Sequence, residues 1–130
     1  MHKKRVIVTT IFGGIFGIVC MLLLKYVSDV SFGPVGIYSL IHHCVMGFTI
    51  GVSSLKIHWA PHGILWGFLF GILLAVSYVF GVFLGVGYWG EPQRFWVPLG
   101  LVVLWGFLIE LITSVGFKLT AGAVQKKAGK

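Results

Sequence analysis

Four continuous apolar runs dominate the chain, separated by short polar connections. Within each run the apolar positions follow one another without the alternation of a half-buried strand. A hydrocarbon core of about 30 Å requires about 20 predominantly apolar residues in helical form. This length predicts helices over residues 6–24, 35–53, 63–87 and 97–117, followed by a basic tail, 118–130. The connections hold the breakers: Asp29, Gly33 and Pro34 in the first, Pro61 with Lys56, His58 and His62 in the second, and Glu91, Pro92 and Arg94 in the third. A membrane barrel would show alternation over strands of about ten residues. Backbone groups in lipid must be satisfied within their own segment, which leaves helices. The expected fold class is therefore all-α: a polytopic integral membrane protein with four transmembrane helices in one domain.

Composition agrees with lipid as the solvent. Of 130 residues, 58% are hydrophobic and 10% charged, and the mean hydropathy is +1.00. A soluble domain carries about 25% charged residues, and a small core could not hide this much apolar surface.

The net charge of +7 does not indicate nucleic acid, because the basic residues form no face. They flank the apolar runs. With both ends inside, Lys3, Lys4, Arg5, Lys56, Lys118, Lys126, Lys127 and Lys130 fall on the cytoplasmic side, against Lys25 and Arg94 outside. Eight against two is the bias that the positive-inside rule requires. The expected location is a plasma or inner membrane with both termini cytoplasmic. Tyr26, Trp59, Tyr88, Trp89 and Trp96 fall near the predicted boundaries, as interfacial aromatics do. The first run resembles a signal peptide in its basic start, but no small-x-small cleavage pattern follows. It is expected to be retained as a helix.

Nineteen glycines are unusual for a helical chain, since each lowers helix propensity by about 1 kcal/mol relative to alanine. Small residues four apart let two helix backbones approach closely in a membrane. That spacing joins Gly13 to Gly17, Gly47 to Gly51, and Gly63, Gly67, Gly71 and Ala75 in series, with Gly81 and Gly85 on another face. Such grooves serve either packing within one bundle or a homodimer interface, and a thin bundle of this kind is expected to self-associate or to bind another membrane protein. A short repeat, Leu65-Trp66-Gly67-Phe68-Leu69 and Leu104-Trp105-Gly106-Phe107-Leu108, lies on helices of opposite direction, the geometry of inverted repeats.

Glu110 is the one acid inside a predicted span. A charged residue at such depth is unfavourable by about 2.5–3.5 kcal/mol and should face protein or water. Counting inward puts it level with Gly13, Gly47 and Phe70-Gly71, which leaves room for water or a small ion. Thr49 and Thr113 supply hydroxyls nearby. Burial favours the protonated carboxyl, which suits a proton carrier; a hydrogen-bonded glutamate holding helices together is the other reading.

His42, His43 and Cys44 form a second polar group, with Cys20 at similar depth. Imidazole and thiolate suit copper or zinc, so Cys20, His43 and Cys44 are a weak candidate metal set, although no recognised spacing supports it. His58 and His62 are expected to face solvent. No cofactor is implied. No acid, base and nucleophile converge, so an enzyme is not expected. Two functions remain: an accessory or interaction subunit packing through its glycine grooves, or a small oligomeric ion or proton-coupled transporter or channel using Glu110.

Overall fold

A computed structural model describes residues 3–28, 34–53, 55, 57–80 and 96–119. The described residues form four α-helices: α1, Lys3–Ser28; α2, Pro34–Val52; α3, Trp59–Phe80; and α4, Trp96–Leu111. A π-helical turn, Ile112–Gly116, continues α4. Among the described residues, three helical stretches are long and apolar enough to cross a membrane: Lys3–Leu23, Trp59–Val76 and Pro98–Gly116. The apolar stretch of α2, Gly36–Val52, is shorter. The expectation that the third helix reaches residue 87, and the Gly81–Gly85 pair with it, lies outside the described residues.

Proline opens three of the helices. Pro34 begins α2, and Pro61 and Pro98 stand in the first turns of α3 and α4. A missing N–H is harmless there, because the first-turn donors have no partner inside the helix. At the start of α3, the backbone N–H of Ala60 donates to His58 Nδ1 at 3.4 Å. The ring thus serves one of those donors.

The helices pack as two antiparallel hairpins, α1 with α2 and α3 with α4, and the hairpins meet each other over a sparser interface. Glycine sets the closeness within each pair. A Cβ added at Gly13 would collide with the His43 carbonyl oxygen and lie 3.2 Å from the Cα of Gly47. In the other hairpin, a Cβ at Gly63 would sit 2.6 Å from the Gly106 carbonyl oxygen, and one at Gly106 would sit 2.7 Å from the Cα of Gly67. Gly17, Gly51 and Gly71 likewise face the backbone or side chains of the partner helix in their own hairpin. Ala75 is fully buried. The described glycines of these grooves therefore meet helices of their own chain. The two Leu-Trp-Gly-Phe-Leu segments cross one another at Gly67 and Gly106, back to back.

Between the hairpins lies a core of Met46 and Ile50 from α2, Leu74 from α3, and Val102 and Ile109 from α4, with Phe12, Phe16, Phe70 and Trp105 packed against it. Phe16 stacks on Trp105 with ring centroids 4.7 Å apart. The outer surface is apolar too: Ile7, Ile11, Ile15 and Ile18 of α1, Ile37 and Ile41 of α2, and Phe68 and Leu73 of α3 are all exposed. Contiguous exposed apolar area on this scale marks a membrane or partner surface.

Candidate functional site: a buried charge cluster joining four helices

The ends of α1 and α4 that lie near the chain termini come together around one carboxylate. Glu110 is fully buried, and so, at 2% exposure, is Arg5. Arg5 Nη2 donates to both carboxylate oxygens, at 3.0 and 2.9 Å. The same nitrogen lies 3.2 Å from the Ile50 carbonyl of α2, and Nη1 donates to the Leu119 carbonyl at 2.7 Å. Three separate acceptors are matched by the spread of donors on one planar guanidinium, a task the compact lysine ammonium performs poorly.

The Leu119 carbonyl is available because α4 does not end as an α-helix. The π-turn widens it: the Phe117 N–H reaches back to the Ile112 carbonyl at 3.0 Å, and that of Leu119 to the Thr113 carbonyl at 3.0 Å. Lys118 adopts φ 54, the left-handed conformation common at helix ends. This reverses the chain towards Arg5. Single π-turns within α-helices recur at functional sites.

Ser114, in the π-turn that continues α4, and His62, on α3, complete the shell. Ser114 Oγ donates to Glu110 Oε1 at 2.9 Å. His62, in the first turn of α3, is fully buried, with Nδ1 3.4 Å from Glu110 Oε2. That distance is a long polar contact, beyond the usual range of a formed hydrogen bond. The other ring nitrogen, Nε2, lies 3.2 Å from Trp66 Nε1 and 3.0 Å from Ser53 Oγ. An indole N–H can only donate, so Nε2 is the accepting nitrogen. In the neutral ring the proton then resides on Nδ1, facing the carboxylate. Arginine and glutamate balance in charge, and a titratable imidazole stands beside them.

Several expectations need correction. Glu110 is not level with a glycine-walled opening: Gly13 and Gly47 touch each other, Gly71 meets Leu99, and the glycine beside the carboxylate is Gly63, whose added Cβ would lie 2.7 Å from Glu110 Cβ. Thr49 and Thr113 do not turn to the carboxylate. Their hydroxyls donate to the Val45 and Ile109 carbonyls of their own helices, at 2.8 and 2.7 Å. Nor does His62 face solvent, although His58 does. Arg5 is no interfacial charge. The signal that could have found it is arithmetic: a buried acid needs a cation, and Arg5 and Lys118 are the basic residues that directly border an apolar run at the same end of the bundle.

In the other half of the bundle, His43 is fully buried, and Nδ1 stands 2.7 Å from the Ser39 carbonyl. His42 packs edge-on to Phe70, ring centroids 5.3 Å apart. Cys20 is buried and Cys44 partly so, both as free thiols. Cys44 Sγ lies over Gly14. Cys20, His43 and Cys44 do not converge: among the described residues no three His, Cys, Asp or Glu side chains form a metal-holding group.

No protein-family model, curated protein or solved structure matches this chain.

Proposed function

We propose that the protein is an integral membrane protein whose four helices all span the bilayer, with both termini on the cytoplasmic side, and that it is a small proton-coupled transporter or channel centred on Glu110. The observation that supports this is the Arg5–Glu110–His62 cluster, buried where the two hairpins meet. Ionisable groups inside a membrane bundle are costly and are characteristic of ion pathways and proton relays. Their position matters as much as their presence: each hairpin is locked internally by glycine, whereas the boundary between hairpins is where relative movement meets least packing. In this reading, proton arrival at His62 weakens the hold of Arg5 on Glu110, and the hairpins separate at the terminus-bearing end.

The test is proton flux in proteoliposomes. Wild-type protein acidifies or alkalinises the lumen in response to an imposed gradient, and Arg5→Gln/Glu110→Gln, which removes both buried charges together, abolishes this while the bundle stays folded. Equal flux in the two proteins refutes the transport reading.

A second reading has one specific observation in its favour. The guanidinium NH2 groups are satisfied by Glu110, Ile50 and Leu119 together, as a structural clamp would be. The protein is then an accessory subunit, presenting its apolar outer faces to another membrane protein, and crosslinking in native membranes would capture a heterologous partner with Arg5→Gln/Glu110→Gln unchanged in its binding.

A further inference from the structure

About 10 Å from the Ile50 level, counting seven residues back along α2 at 1.5 Å each, lies a second polar group that the Glu110 cluster does not use. Four observations define it. His43 is fully buried, and its Nδ1 faces the Ser39 carbonyl at 2.7 Å. A carbonyl only accepts, so Nδ1 carries the hydrogen and Nε2 is a bare lone pair; that nitrogen is buried with no partner in the protein. His42 Nε2, beside it, is also buried and unpartnered. The complementary donor is present as well: Trp105 Nε1 on α4 is buried without an acceptor.

The packing brings the residues that carry these atoms to neighbouring positions on α1, α2 and α4. Trp105 stacks on Phe16, and the next residue, Gly17, lies against His43, whose Cβ would be 3.2 Å from a Cβ added there. The His42 and His43 rings stand edge to face at 5.5 Å. Lone pairs and an N–H left unsatisfied in an apolar interior carry the full desolvation penalty of each group. A complementary set of this kind fits a small molecule that both donates and accepts. No carboxylate is at this level among the described residues. The titratable groups there are Cys20 on α1 and Tyr38, His42, His43 and Cys44 on α2; α3 presents Phe70, and α4 presents Trp105.

We infer that His42, His43 and Trp105 form a water-binding station that relays protons between the bilayer face remote from the termini and the bundle interior. This rests on the transport reading and extends it to a second site. A hydronium arriving from the remote side gives its proton to His43 Nε2 and becomes neutral water, leaving an imidazolium whose Nδ1–H remains on the Ser39 carbonyl. The Nε2–H is then released to the next water, so only O–H and N–H bonds exchange and the ring ends as it began. Met46, Ile50 and Ile109, all fully buried, separate this station from Glu110 and form the apolar barrier across which movement must carry the proton.

The experiment uses full-length protein in liposomes, labelled with 15N at histidine and tryptophan. Water-edited solid-state NMR is expected to show direct water contact at the Trp105 indole N–H and at His43. Trp105→Phe, which keeps the stacked ring and removes only the donor, should weaken the His43 water signal. In flux assays, His42→Gln/His43→Gln should lower uptake driven by acid on the remote side by about a hundredfold, the scale of a lost proton-transfer group. Imidazole and indole signals without water contact overturn the station, as does wild-type flux in the double variant. If wild-type protein carries no protons, or Arg5→Gln/Glu110→Gln carries them normally, the earlier reading fails, and the water contact alone then decides whether the station exists.

Discussion

Arg5 and Glu110 are 105 residues apart in sequence, yet a single guanidinium nitrogen lies within 3.0 Å of both carboxylate oxygens. The pair closes the bundle by joining the first turn of α1 to the last turn of α4. Removing one partner leaves an uncompensated buried charge, which destabilises by about 3–5 kcal/mol, whereas replacing both by apolar residues of similar volume can be neutral or better. Arg5→Met should therefore lower the unfolding midpoint in mild detergent sharply, and Arg5→Met/Glu110→Leu should recover most of it. Two losses that simply add would contradict a direct pair.

Glycine packing within the hairpins gives a different prediction from glycine packing between copies. Gly63→Leu and Gly106→Leu place atoms where the facing backbone is 2.6 Å from the added Cβ. Forced overpacking costs about 1–3 kcal/mol and often more, so both variants should lose thermal stability as monomers. Gly100→Ala is the control, since nothing lies within 4 Å of its Cβ and helix propensity favours alanine by about 1 kcal/mol. A change in oligomeric state with unchanged monomer stability would point to grooves used between chains.

Trp66 fixes the tautomer of His62. With Trp66→Phe the indole donor is gone, and the ring is free to carry its proton on Nε2 and donate to Ser53. The 15N shifts of His62 should then report a mixture of tautomers, where the wild-type ring reports the Nδ1–H form. Ser114→Ala removes a donor from Glu110 within the same helix and should cost about 1.5–3 kcal/mol, the range for a hydrogen bond to a charged group, read in the same unfolding assay.

The Arg5–Leu119 hydrogen bond places residues 5 and 119 at one end of the bundle. Reporter fusions at the two termini should therefore sit in the same compartment, which the proposed orientation makes the cytoplasm. Opposite compartments would contradict the bundle.

Much of the fold could be read from the sequence, because continuous apolar runs admit one backbone solution. The starts of α2 and α4 fall within a residue of expectation, at Pro34 and Trp96. α1 begins earlier than expected, at Lys3, because the polar residues before Val6 continue the helix and one of them, Arg5, has a buried partner. α3 begins at Trp59 instead of residue 63, because His58 caps it and Pro61 is tolerated in a first turn. That shift of a single turn moved His62 from a connection into the interior. The candidate site was half legible. Glu110 stood out as an acid in an apolar run, but its partners did not, because helix rotation decides which faces meet. The glycine spacing was visible while its use was not: the same groove serves a neighbouring helix or a second chain, and only the fold distinguishes them.

The central claim, that charge at the Arg5–Glu110 pair carries the activity, is tested most directly by proton flux through Arg5→Gln/Glu110→Gln. Two amides can hydrogen-bond where the ions do, without a net or titratable charge. The account predicts a folded bundle, with wild-type helical content and a single monodisperse species, that conducts no protons. Flux at the wild-type rate through that neutral pair would contradict it.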